Sequence, residues 1–401
     1  MVKCDFLVIG GGIIGISIVR ELKKRHPKSS QVLIEKETDF GLHASGRNSG
    51  VLHAGFYYTA DSFKAKFTQK GNQHLKEYCE SKNIPVNRCG KLVVAKNESE
   101  LSQLDELLAR AQANGVPMDS LTEKEAKNIE PRVKTFERAL FSPTTSSINP
   151  SDVVKAMVKD SIKEGIKMNS QVRYVKKLGD RIIKTSQGDI EFGYMVNAAG
   201  LYADQIARDF GFSRDYRILP FKGLYLYSNE PAGSFRTNIY PVPDLRNPFL
   251  GVHFTVTAEK KVKIGPTAIP AFWREQYKGL SNFNFDELLE IIFRQAGLFW
   301  SSDFDFKTLA FEEFQKYSQT KLVSLASSLV EGIEPKNFQK WGEPGIRAQL
   351  LNIRKRKLEM DFVTEGDDKS LHILNAISPA FTCALPFADF ACDKIASLSR
   401  N

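Results

Sequence analysis

The chain has 401 residues, which is long for a single hydrophobic core, so we expect two domains. Its apolar content of 42% and charged content of 26% are typical of a soluble globular protein. No run of about 18 apolar residues predicts a membrane-spanning helix. The net charge is +9, but the one dense basic cluster, at 354–357, lacks the interleaved aromatic residues of a nucleic-acid surface. We therefore expect no nucleic-acid partner and interpret this cluster as a solvated hairpin tip.

Five cysteines are scattered along the chain without C-x-x-C spacing, which indicates neither a zinc site nor a disulfide framework. The first residues lack the charged and then apolar layout of a signal peptide. Both observations favour a reducing, cytoplasmic location, and they predict no metal site.

The N-terminal segment has the pattern of a nucleotide-binding unit. A short apolar strand at 5–9 runs into Gly10, Gly12 and Gly15 in G-x-G-x-x-G spacing, and a helical pattern follows to Lys24. Gly10 would allow a tight turn, Gly12 the close approach of a pyrophosphate, and Gly15 close packing of helix on strand. The phosphates would then lie at the helix N-terminus.

An acidic residue at the end of the second strand completes this pattern. Residues 31–35 read as that strand, and Glu35 lies where a carboxylate can accept hydrogen bonds from both ribose hydroxyls. An acid in this position favours an unphosphorylated ribose, and hence FAD or NAD over NADP. The order of strand, glycines, helix, strand and acid is a much more specific signal than the glycines alone.

The stretch HASGRNSGVLHAGFYY at 43–58 favours FAD over NAD. Its first half is rich in small and polar residues, and such a loop could run beneath a second, bulkier half of the cofactor and hydrogen-bond a flavin edge. Its second half places His53 in an apolar run, where an imidazole would be held in a partly dry place. The residues expected to contact the cofactor here are Ser45, Arg47, Asn48, Ser49 and Gly50.

Further elements follow in chain order. Residues 98–116 predict a helix that stops at Gly115, and Thr122 begins a second helix near 122–129 with a capping box. A helix is expected at 152–164, and strands at 222–228, 249–257 and 260–265 would form a mixed sheet under the substrate pocket. Residues 284–300 predict an amphipathic helix ending in Leu298-Phe299-Trp300, and 321–330 another. Core packing is the favoured interpretation of these helices, with a membrane-surface or partner-docking role as the alternative.

Two segments beyond the N-terminus resemble the D-amino-acid-oxidase-like FAD-dependent oxidoreductases. Val172, in QVRYV, resembles that family's backbone contact to adenine, and VNAAGLYAD at 196–204 resembles its strand-to-helix turn beside the pyrophosphate. Longer motifs resemble the L-2-hydroxyglutarate dehydrogenase/oxidase branch of the family: NSGVLHAGFYY (48–58), CGKLVVA (89–95), NIYPVPDLRNPFLGVHFT (238–255), GPTAIPAFWREQY (265–277), PGIRAQLL (344–351) and HILNAISPAFT (372–382). The chain departs from the branch at Arg47, Ile377, Phe381 and Pro386-Phe387.

The resemblance implies an α/β fold with a discontinuous, Rossmann-like FAD-binding domain at 1–85, 146–218 and 345–401. A second, α+β substrate domain built on a mixed sheet would comprise 86–145 and 219–344. FAD is expected to bind non-covalently, because the flavin loop has no cysteine or obvious tethering histidine. The expected cofactor-binding residues are Gly10, Gly12, Gly15, Glu35, Lys36, Ser45, Arg47, Asn48, Ser49, Gly50, Val172, Ala198, Gly200, Pro379 and Thr382.

Oxidation of a carbon that bears a hydroxyl needs a base for the hydroxyl proton and a cation for the neighbouring carboxylate. His53 is the expected base, with His253 next; His26 and His74 have polar surroundings typical of surface residues, and His372 fits a structural core position. Arg347, in a Gly-x-Arg context, is the expected carboxylate clamp, because a guanidinium grips a carboxylate with two parallel hydrogen bonds. The other substrate-pocket candidates are Lys222, Tyr240, His253 and Tyr57.

The preferred function is FAD-dependent oxidation of L-2-hydroxyglutarate, or a similar 2-hydroxy acid, with hydride passing from C2 to flavin N5. An amino acid or glycerol phosphate as substrate of the same fold is one alternative. A flavin-binding partner protein without catalysis is another. The expected partners are the small substrate and an electron acceptor (oxygen, a quinone or a carrier), with peripheral association at the inner membrane left open.

Overall fold

The computed structural model describes residues 1–243, 249–301 and 306–400, of which 299–301, 306 and 309 are described by their backbone alone. The chain forms two compact units. Unit 1 comprises Met1–Asn48, Pro150–Pro220 and Arg347–Asn401, and unit 2 comprises Ser49–Asn149 and Phe221–Ile346.

The domain boundaries expected near 146, 218 and 345 lie within four residues of the observed ones, but the first segment of unit 1 is shorter than expected. Residues 49–85 were expected in the cofactor domain and instead belong to unit 2. The reason is packing: Ala54, Phe56 and Tyr57 form a buried cluster with unit 2 residues further along the chain, such as Val93 and Leu107.

The helices of the described residues are labelled in chain order. They are α1 (Ile13–Arg25), α2 (Phe63–Ser81), α3 (Leu101–Ala113), α4 (Glu123–Ile129), α5 (Pro150–Lys163), α6 (Ala203–Asp209), α7 (Phe285–Ser301), α8 (Phe306–Gln315), α9 (Gln319–Ser327) and α10 (Ala384–Leu398).

The strands are labelled in the same way. They are β1 (Val2–Ile9), β2 (Gln31–Ile34), β3 (Val51–Leu52), β4 (Val86–Asn87), β5 (Lys91–Val94), β6 (Asp119–Thr122), β7 (Arg138–Ser142), β8 (Ser146–Ile148), β9 (Lys167–Asn169), β10 (Tyr174–Gly179), β11 (Ile182–Thr185), β12 (Gly188–Asn197), β13 (Tyr216–Gly223), β14 (Leu226–Ser228), β15 (Asn238–Pro241), β16 (His253–Val256), β17 (Val262–Gly265), β18 (Ile269–Pro270), β19 (Phe338–Trp341), β20 (Gly345–Asn352), β21 (Lys357–Leu358), β22 (Val363–Gly366) and β23 (Ser370–Asn375).

Unit 1 is built on a mixed sheet in the order β10-β11-β12-β1-β2-β9, with β23 also pairing with β12 and β22 with β23. Along this path β12, β1, β2 and β9 run parallel to one another, whereas β11 is antiparallel to both β12 and β10. Helix α1 connects β1 to β2 and packs against α5 and α10. The predicted order of strand, glycine turn, helix and strand at the N-terminus is therefore confirmed. Since β2 and β12 flank β1 on opposite sides, the end of β1 is a topological switch point, where α/β folds bind ligands.

Unit 2 is built on an eight-stranded sheet in the order β19-β14-β17-β16-β15-β5-β7-β6, beside the small sheet β3-β8-β4. One face of the large sheet is apolar, because alternate side chains of each strand point to the same side. Leu92, Ile239, Phe254 and Ile264 lie on this face and form a buried cluster with α9 residues such as Leu322.

The opposite face of the same strands is polar, although it is also buried. The strand registers place side chains of β5, β15, β16, β17 and β14 on it, and we call this set the polar face. It comprises Lys91, Val93, Asn238, Tyr240, His253, Thr255, Lys263, Gly265 and Tyr227.

Several local predictions are confirmed. Thr122 and Glu125 form the capping box at the start of α4, and Gly115 ends the α3 segment with a φ of +64°. The basic cluster lies at the exposed turn between β20 and β21. Strands were expected at 249–257 and 260–265, and β16 and β17 are found there. None of the described helices has the length and apolar character needed to cross a membrane.

Helix α7 follows the predicted amphipathic segment, but core packing accounts for only part of its apolar surface. Ile291 and Leu298 are buried, whereas Phe285, Leu289 and Phe293 are 60%, 54% and 70% exposed. The side chains of Phe299 and Trp300, with which the predicted helix ends, lie outside the described residues.

Candidate active site

The glycine turn after β1 brings three backbone segments of unit 1 close together. Gly10 has a φ of +111°, and a Cβ atom there would lie 2.4 Å from the carbonyl oxygen of Ala198. A Cβ atom on Gly15 would lie 2.0 Å from the carbonyl oxygen of Gly10. Neither position can carry a side chain without backbone movement. Gly12 differs: in the described part of the chain, a Cβ atom there meets only the hydroxyl oxygen of Ser45, at 3.0 Å.

The N-terminus of α1 opens at this turn. Gly12 is the N-cap residue, with extended backbone, and it has no side chain to cap the helix. The hydroxyl of Ser45 accepts a hydrogen bond of 2.9 Å from the N–H of Ile13. The helix dipole and the first-turn N–H groups favour an anion here, so the turn fits the pyrophosphate of a dinucleotide.

Glu35 is held at the end of β2 by the backbone around it. Its Oε2 accepts from the N–H of Gly11 at 2.7 Å, and its Oε1 accepts from the N–H of Glu37 at 2.9 Å. A carboxylate has about four acceptor sites, so each oxygen keeps one for a ribose hydroxyl. The N–H of Val172 donates to the carbonyl of Glu35 at 2.8 Å, which fixes Val172 beside the acid. Its backbone contact to adenine stays a prediction.

The loop after Glu35 is closed by its own hydrogen bonds. The carboxylate of Glu37 pairs with the ammonium of Lys36 and lies 2.9 Å from Nε2 of His43. Burial alone would raise the pKa of Glu37, but these two hydrogen bonds lower it to about 2. The Nζ of Lys36 also lies 5.4 Å from the ring of Tyr202.

Arg47 and Asn48 support the same loop. The Nε of Arg47 donates to the carbonyl of Leu42 at 2.7 Å, and the amide of Asn48 donates to the carbonyls of Ser45 and Ala44. These bonds stiffen the loop that was expected to lie beneath the flavin. A direct flavin contact by either side chain stays a prediction.

The other expected cofactor residues of unit 1 lie at two turns. Ala198 donates its N–H to the carbonyl of Ile9 at 2.8 Å, and Gly200 has a φ of +55° with no described atom within 4 Å of an added Cβ. Pro379 and Thr382 are buried in the turn before α10, where the carbonyl of Pro379 accepts from the N–H of Cys383.

In unit 2 the flavin-loop motif continues into β3 and His53. The hydroxyl of Ser49 accepts from the N–H of Val51 at 3.3 Å, and the carbonyl of Gly50 accepts from the N–H of Ile148 at 2.9 Å. The amide of Asn72, on α2, donates to the carbonyls of Leu52 and His53 at 2.9 and 3.0 Å.

Helix α3 holds the aromatic end of the motif. The amide of Asn114 donates to the carbonyls of Gly55 and Tyr58, and Arg110 donates to the carbonyl of Tyr57 at 2.7 Å. The segment from His53 to Tyr58 is therefore anchored by the side chains of two helices, α2 and α3.

His53 is buried, with 8% of its surface exposed. Burial lowers its pKa well below the ordinary 6.5, and the charges of Lys91, His253 and Lys64 lower it further. The imidazole is therefore neutral at neutral pH, which is the protonation state that a general base needs.

Tyr240 and His253 lie together on the polar face. Their rings are stacked with centroids 3.7 Å apart, and Nδ1 of His253 lies 2.8 Å from the carbonyl oxygen of Gly251. That nitrogen donates, so Nε2 is an acceptor in the neutral ring. Lys222, in β13, is also buried, which lowers its pKa, and its Nζ lies 6.0 Å from the ring of Tyr317.

Sequence reasoning missed Lys91, the first residue of β5. Its side chain is fully buried, and its Nζ lies 4.3 Å from the ring of Tyr240 and 4.9 Å from that of Tyr57. A charged residue at the head of the apolar run KLVV was the available signal. Unit 2 thus brings together His53, Lys91, Tyr57, Tyr240 and His253.

The remaining candidates have separate outcomes. Arg347 is half-buried in β20, as the first residue of the third segment of unit 1. His26 and His74 are exposed, as predicted. His372 is a buried structural residue: its Nδ1 lies 3.1 Å from the amide of Asn197, its Nε2 lies 3.0 Å from the hydroxyl of Ser370, and burial lowers its pKa to about 4.

Comparison with known protein families identifies the family of this chain. Residues 5–305 match the family described as FAD dependent oxidoreductase. The chain belongs to the FAD dependent oxidoreductase family. The cofactor of this oxidoreductase is FAD, and the glycine turn, the α1 N-terminus and Glu35 are the groups of unit 1 that fit it.

Relatives of similar length carry one name. The chain is 35% identical to L-2-hydroxyglutarate dehydrogenase, mitochondrial, of Nematostella vectensis, over 98% of this chain and 90% of that protein. It is 33% identical to the protein of the same name from Homo sapiens, over 98% and 88%. It is 35% identical to L-2-hydroxyglutarate dehydrogenase of Indibacter alkaliphilus, over 96% and 97%.

Solved structures share the fold at lower identity. L-alpha-glycerophosphate oxidase from Mycoplasma pneumoniae, with FAD bound, superposes with a TM-score of 0.79 at 20% identity, covering 99% of this chain and 95% of that one. Glycine oxidase from Geobacillus kaustophilus gives a TM-score of 0.74 at 16% identity, over 99% and 95%. The predicted FAD-binding α/β architecture is thereby confirmed.

Gly12→Val should yield a folded protein that has lost most of its FAD. Among the described residues, the Ser45 hydroxyl is the one atom noted within 4 Å of a new Cβ, so the added methyl groups would occupy the space that fits the pyrophosphate. Flavin absorbance per chain after purification, together with circular dichroism, measures both effects.

Gly297→Ala, in α7, is the matched control, because no described atom lies within 4 Å of its added Cβ. Wild-type flavin content in the Gly12 variant would refute the assignment. In the wild-type protein, acid precipitation should release the flavin, because binding is predicted to be non-covalent.

Proposed function

We propose that this oxidoreductase converts L-2-hydroxyglutarate to 2-oxoglutarate. The observation that supports this most strongly is the set of relatives named L-2-hydroxyglutarate dehydrogenase, which are 33–35% identical over nearly the whole chain. A neutral, buried imidazole at His53 gives the proposal a chemical basis. Bound FAD supplies the hydride acceptor, nitrogen N5 of its ring.

His53 would act as the base for the substrate hydroxyl. As C2 loses its hydride, the hydroxyl proton passes to the imidazole, and the C–O bond becomes a carbonyl. Anchoring by Asn72 on one side and by α3 on the other holds the residue ready for this transfer. The burial that lowers the pKa of His53 also keeps water away from the proton acceptor.

Arg347 would bind the carboxylate next to C2. A guanidinium can hold both carboxylate oxygens, which fixes the direction in which the C2–H bond points. Lys222, Tyr240, His253 and Tyr57 remain proposed pocket residues, and the burial of Lys222 in β13 suits a cation that meets an anionic ligand. His253 is the second candidate for the base, since its Nε2 is an acceptor.

The alternative substrates have weaker support. Glycerophosphate oxidase and glycine oxidase share the fold at 20% and 16% identity, which carries no information on substrate. The flavin-binding protein without catalysis is disfavoured by the relatives at 33–35% identity, which are named as dehydrogenases.

The electron acceptor is proposed to be oxygen, a quinone or a carrier protein, and a cytoplasmic location stays a prediction. We further propose peripheral association with a membrane. The exposed Phe285, Leu289 and Phe293 on α7 support it, because an apolar helix face of this kind can lie in a bilayer interface.

Anaerobic flavin reduction tests the reaction. L-2-hydroxyglutarate should bleach the flavin of the holoenzyme, whereas amino acids and glycerol phosphate should not.

In the same assay Arg347→Lys should have a much higher apparent substrate constant and a lower rate of flavin reduction, because lysine keeps the charge but cannot form two parallel hydrogen bonds with a carboxylate. Absence of bleaching by every compound would favour the non-catalytic alternative, and wild-type behaviour of the variant would exclude Arg347 as the clamp.

His53→Asn should slow flavin reduction by about 10²–10⁴-fold while leaving flavin content and folding unchanged. On the acid side, wild-type kcat/KM should fall only well below pH 6.5, because the depressed pKa of His53 preserves the neutral base. Stopped-flow reduction across a pH series measures both. His74→Asn, at an exposed histidine, is the control. A variant rate within a few-fold of wild type would make His253 the base.

Lipid vesicles test the membrane proposal. The protein should sediment with phospholipid vesicles, and Phe293→Ser should weaken this. Asp286 and Glu290 lie on the same helix, so the attraction should be apolar and should persist at high salt. Recovery of the wild-type protein in the supernatant, or loss of binding at high salt, would argue against docking through α7.

A further inference from the structure

The polar face of the large sheet in unit 2 has an unbalanced charge. Its central strands carry two buried lysines, Lys91 and Lys263, and none of the polar-face residues defined above is acidic. The registers place both lysines in one row across the sheet, with Asn238 and Thr255 between them. A buried cation without a counter-charge is costly, so this face suits an anionic ligand.

Lys91 has the more demanding surroundings of the two. It has no exposed surface, and among the described residues its Nζ has no hydrogen-bond partner. The faces of Tyr240, Tyr57 and Phe56 surround it at 4.3, 4.9 and 5.2 Å from the ring centroids. Ring faces attract a cation, but they cannot replace three hydrogen-bond acceptors. Burial lowers the pKa of Lys91 to about 7, because the charged form loses its hydration in this site.

The hydroxyl of Tyr57 is a second buried donor in unit 2. It is buried, and within the described part of the chain it has no hydrogen-bond partner. The ring that carries it is one of those beside Nζ of Lys91. An ammonium and a phenol are both donors to a carboxylate, and together they would satisfy one such group. Two adjacent buried donors without acceptors are a stronger indication of a ligand than either donor alone.

We propose that Lys91 and Tyr57 bind the substrate carboxylate that is remote from C2, and so select a dicarboxylate. This inference rests on the proposed function, which supplies a substrate with a second carboxylate. Lys91 would recognise the carboxylate that only dicarboxylates have, a task distinct from holding the carboxylate beside C2 that mono- and dicarboxylates share.

Contact with the segment that carries His53 supports this assignment to Lys91 over Lys263. The Nζ of Lys91 lies 4.9 Å from the ring of Tyr57, four residues after His53. Lys263 instead lies over Tyr225 and Tyr227, at 4.3 and 5.5 Å. Lys91 is therefore the buried amine that a substrate bound beside this segment would meet.

Ligand binding tests the proposal without turnover. Glutarate and butyrate share one carboxylate and differ in the second, and each can be titrated into the oxidised holoenzyme while flavin absorbance is followed. Wild type should prefer glutarate. Lys91→Met should lose that preference by roughly 30-fold or more, while butyrate binds almost as before. Tyr57→Phe should reduce the preference by a smaller factor.

Lys263→Met is the matched control, a buried lysine of the same row that should keep the wild-type preference. Methionine fits the aromatic surroundings of Lys91, so flavin content and thermal midpoint should not fall, and Tyr57→Phe serves if that variant fails to fold. Unchanged preference in both variants, or no preference in wild type, would overturn the proposal. A preference for glutarate without bleaching by L-2-hydroxyglutarate would leave Lys91 as an anion site and refute the proposed function alone.

Discussion

Exclusion of water from His53 and Lys91 is the condition on which the proposed chemistry of unit 2 depends. Burial, more than any single charge, lowers the pKa of both groups. It keeps the imidazole ready to accept a proton, and it leaves the ammonium in need of an anion. The same dryness strengthens every charge interaction that a substrate makes on arrival. A site of this kind can combine proton transfer with selection of an anionic substrate, and it needs few residues to do so.

Local features of the chain could be predicted from the sequence because the interactions that fix them join residues close together in the chain. The glycine turn, α1, β2 and Glu35 lie within 35 residues, and Gly15 is required by a close contact with the carbonyl of Gly10 in the same turn. The capping box of α4 spans four residues and needs no tertiary information. His372 was recognised as structural because its neighbours are apolar, and the buried hydrogen bonds to Asn197 and Ser370 bear that out.

Features that depend on distant pairing were not readable in the same way. The placement of 49–85 in unit 2 follows from the packing of Ala54, Phe56 and Tyr57 against β5 and α3, which lie further along the chain. Lys91 stands in the motif CGKLVVA at 89–95, but its role emerges only when β15 brings Tyr240 beside it. Arg47 and Asn48 were expected to serve the cofactor, whereas the bonds described for them hold their own loop.

The two faces of the large sheet divide the work of unit 2 between neighbouring residues. Lys91 and Leu92 are adjacent in the chain, yet one lies on the polar face and the other in the apolar cluster; the same holds for Tyr240 and Ile239, and for His253 and Phe254. Amino-acid substitutions along these strands should therefore fall into two alternating sets. Those at polar-face positions can change ligand preference, and the residues at the intervening positions preserve the apolar core. Such a sheet can acquire a new specificity without being redesigned as a scaffold, which offers one physical route by which a single fold could come to serve many substrates.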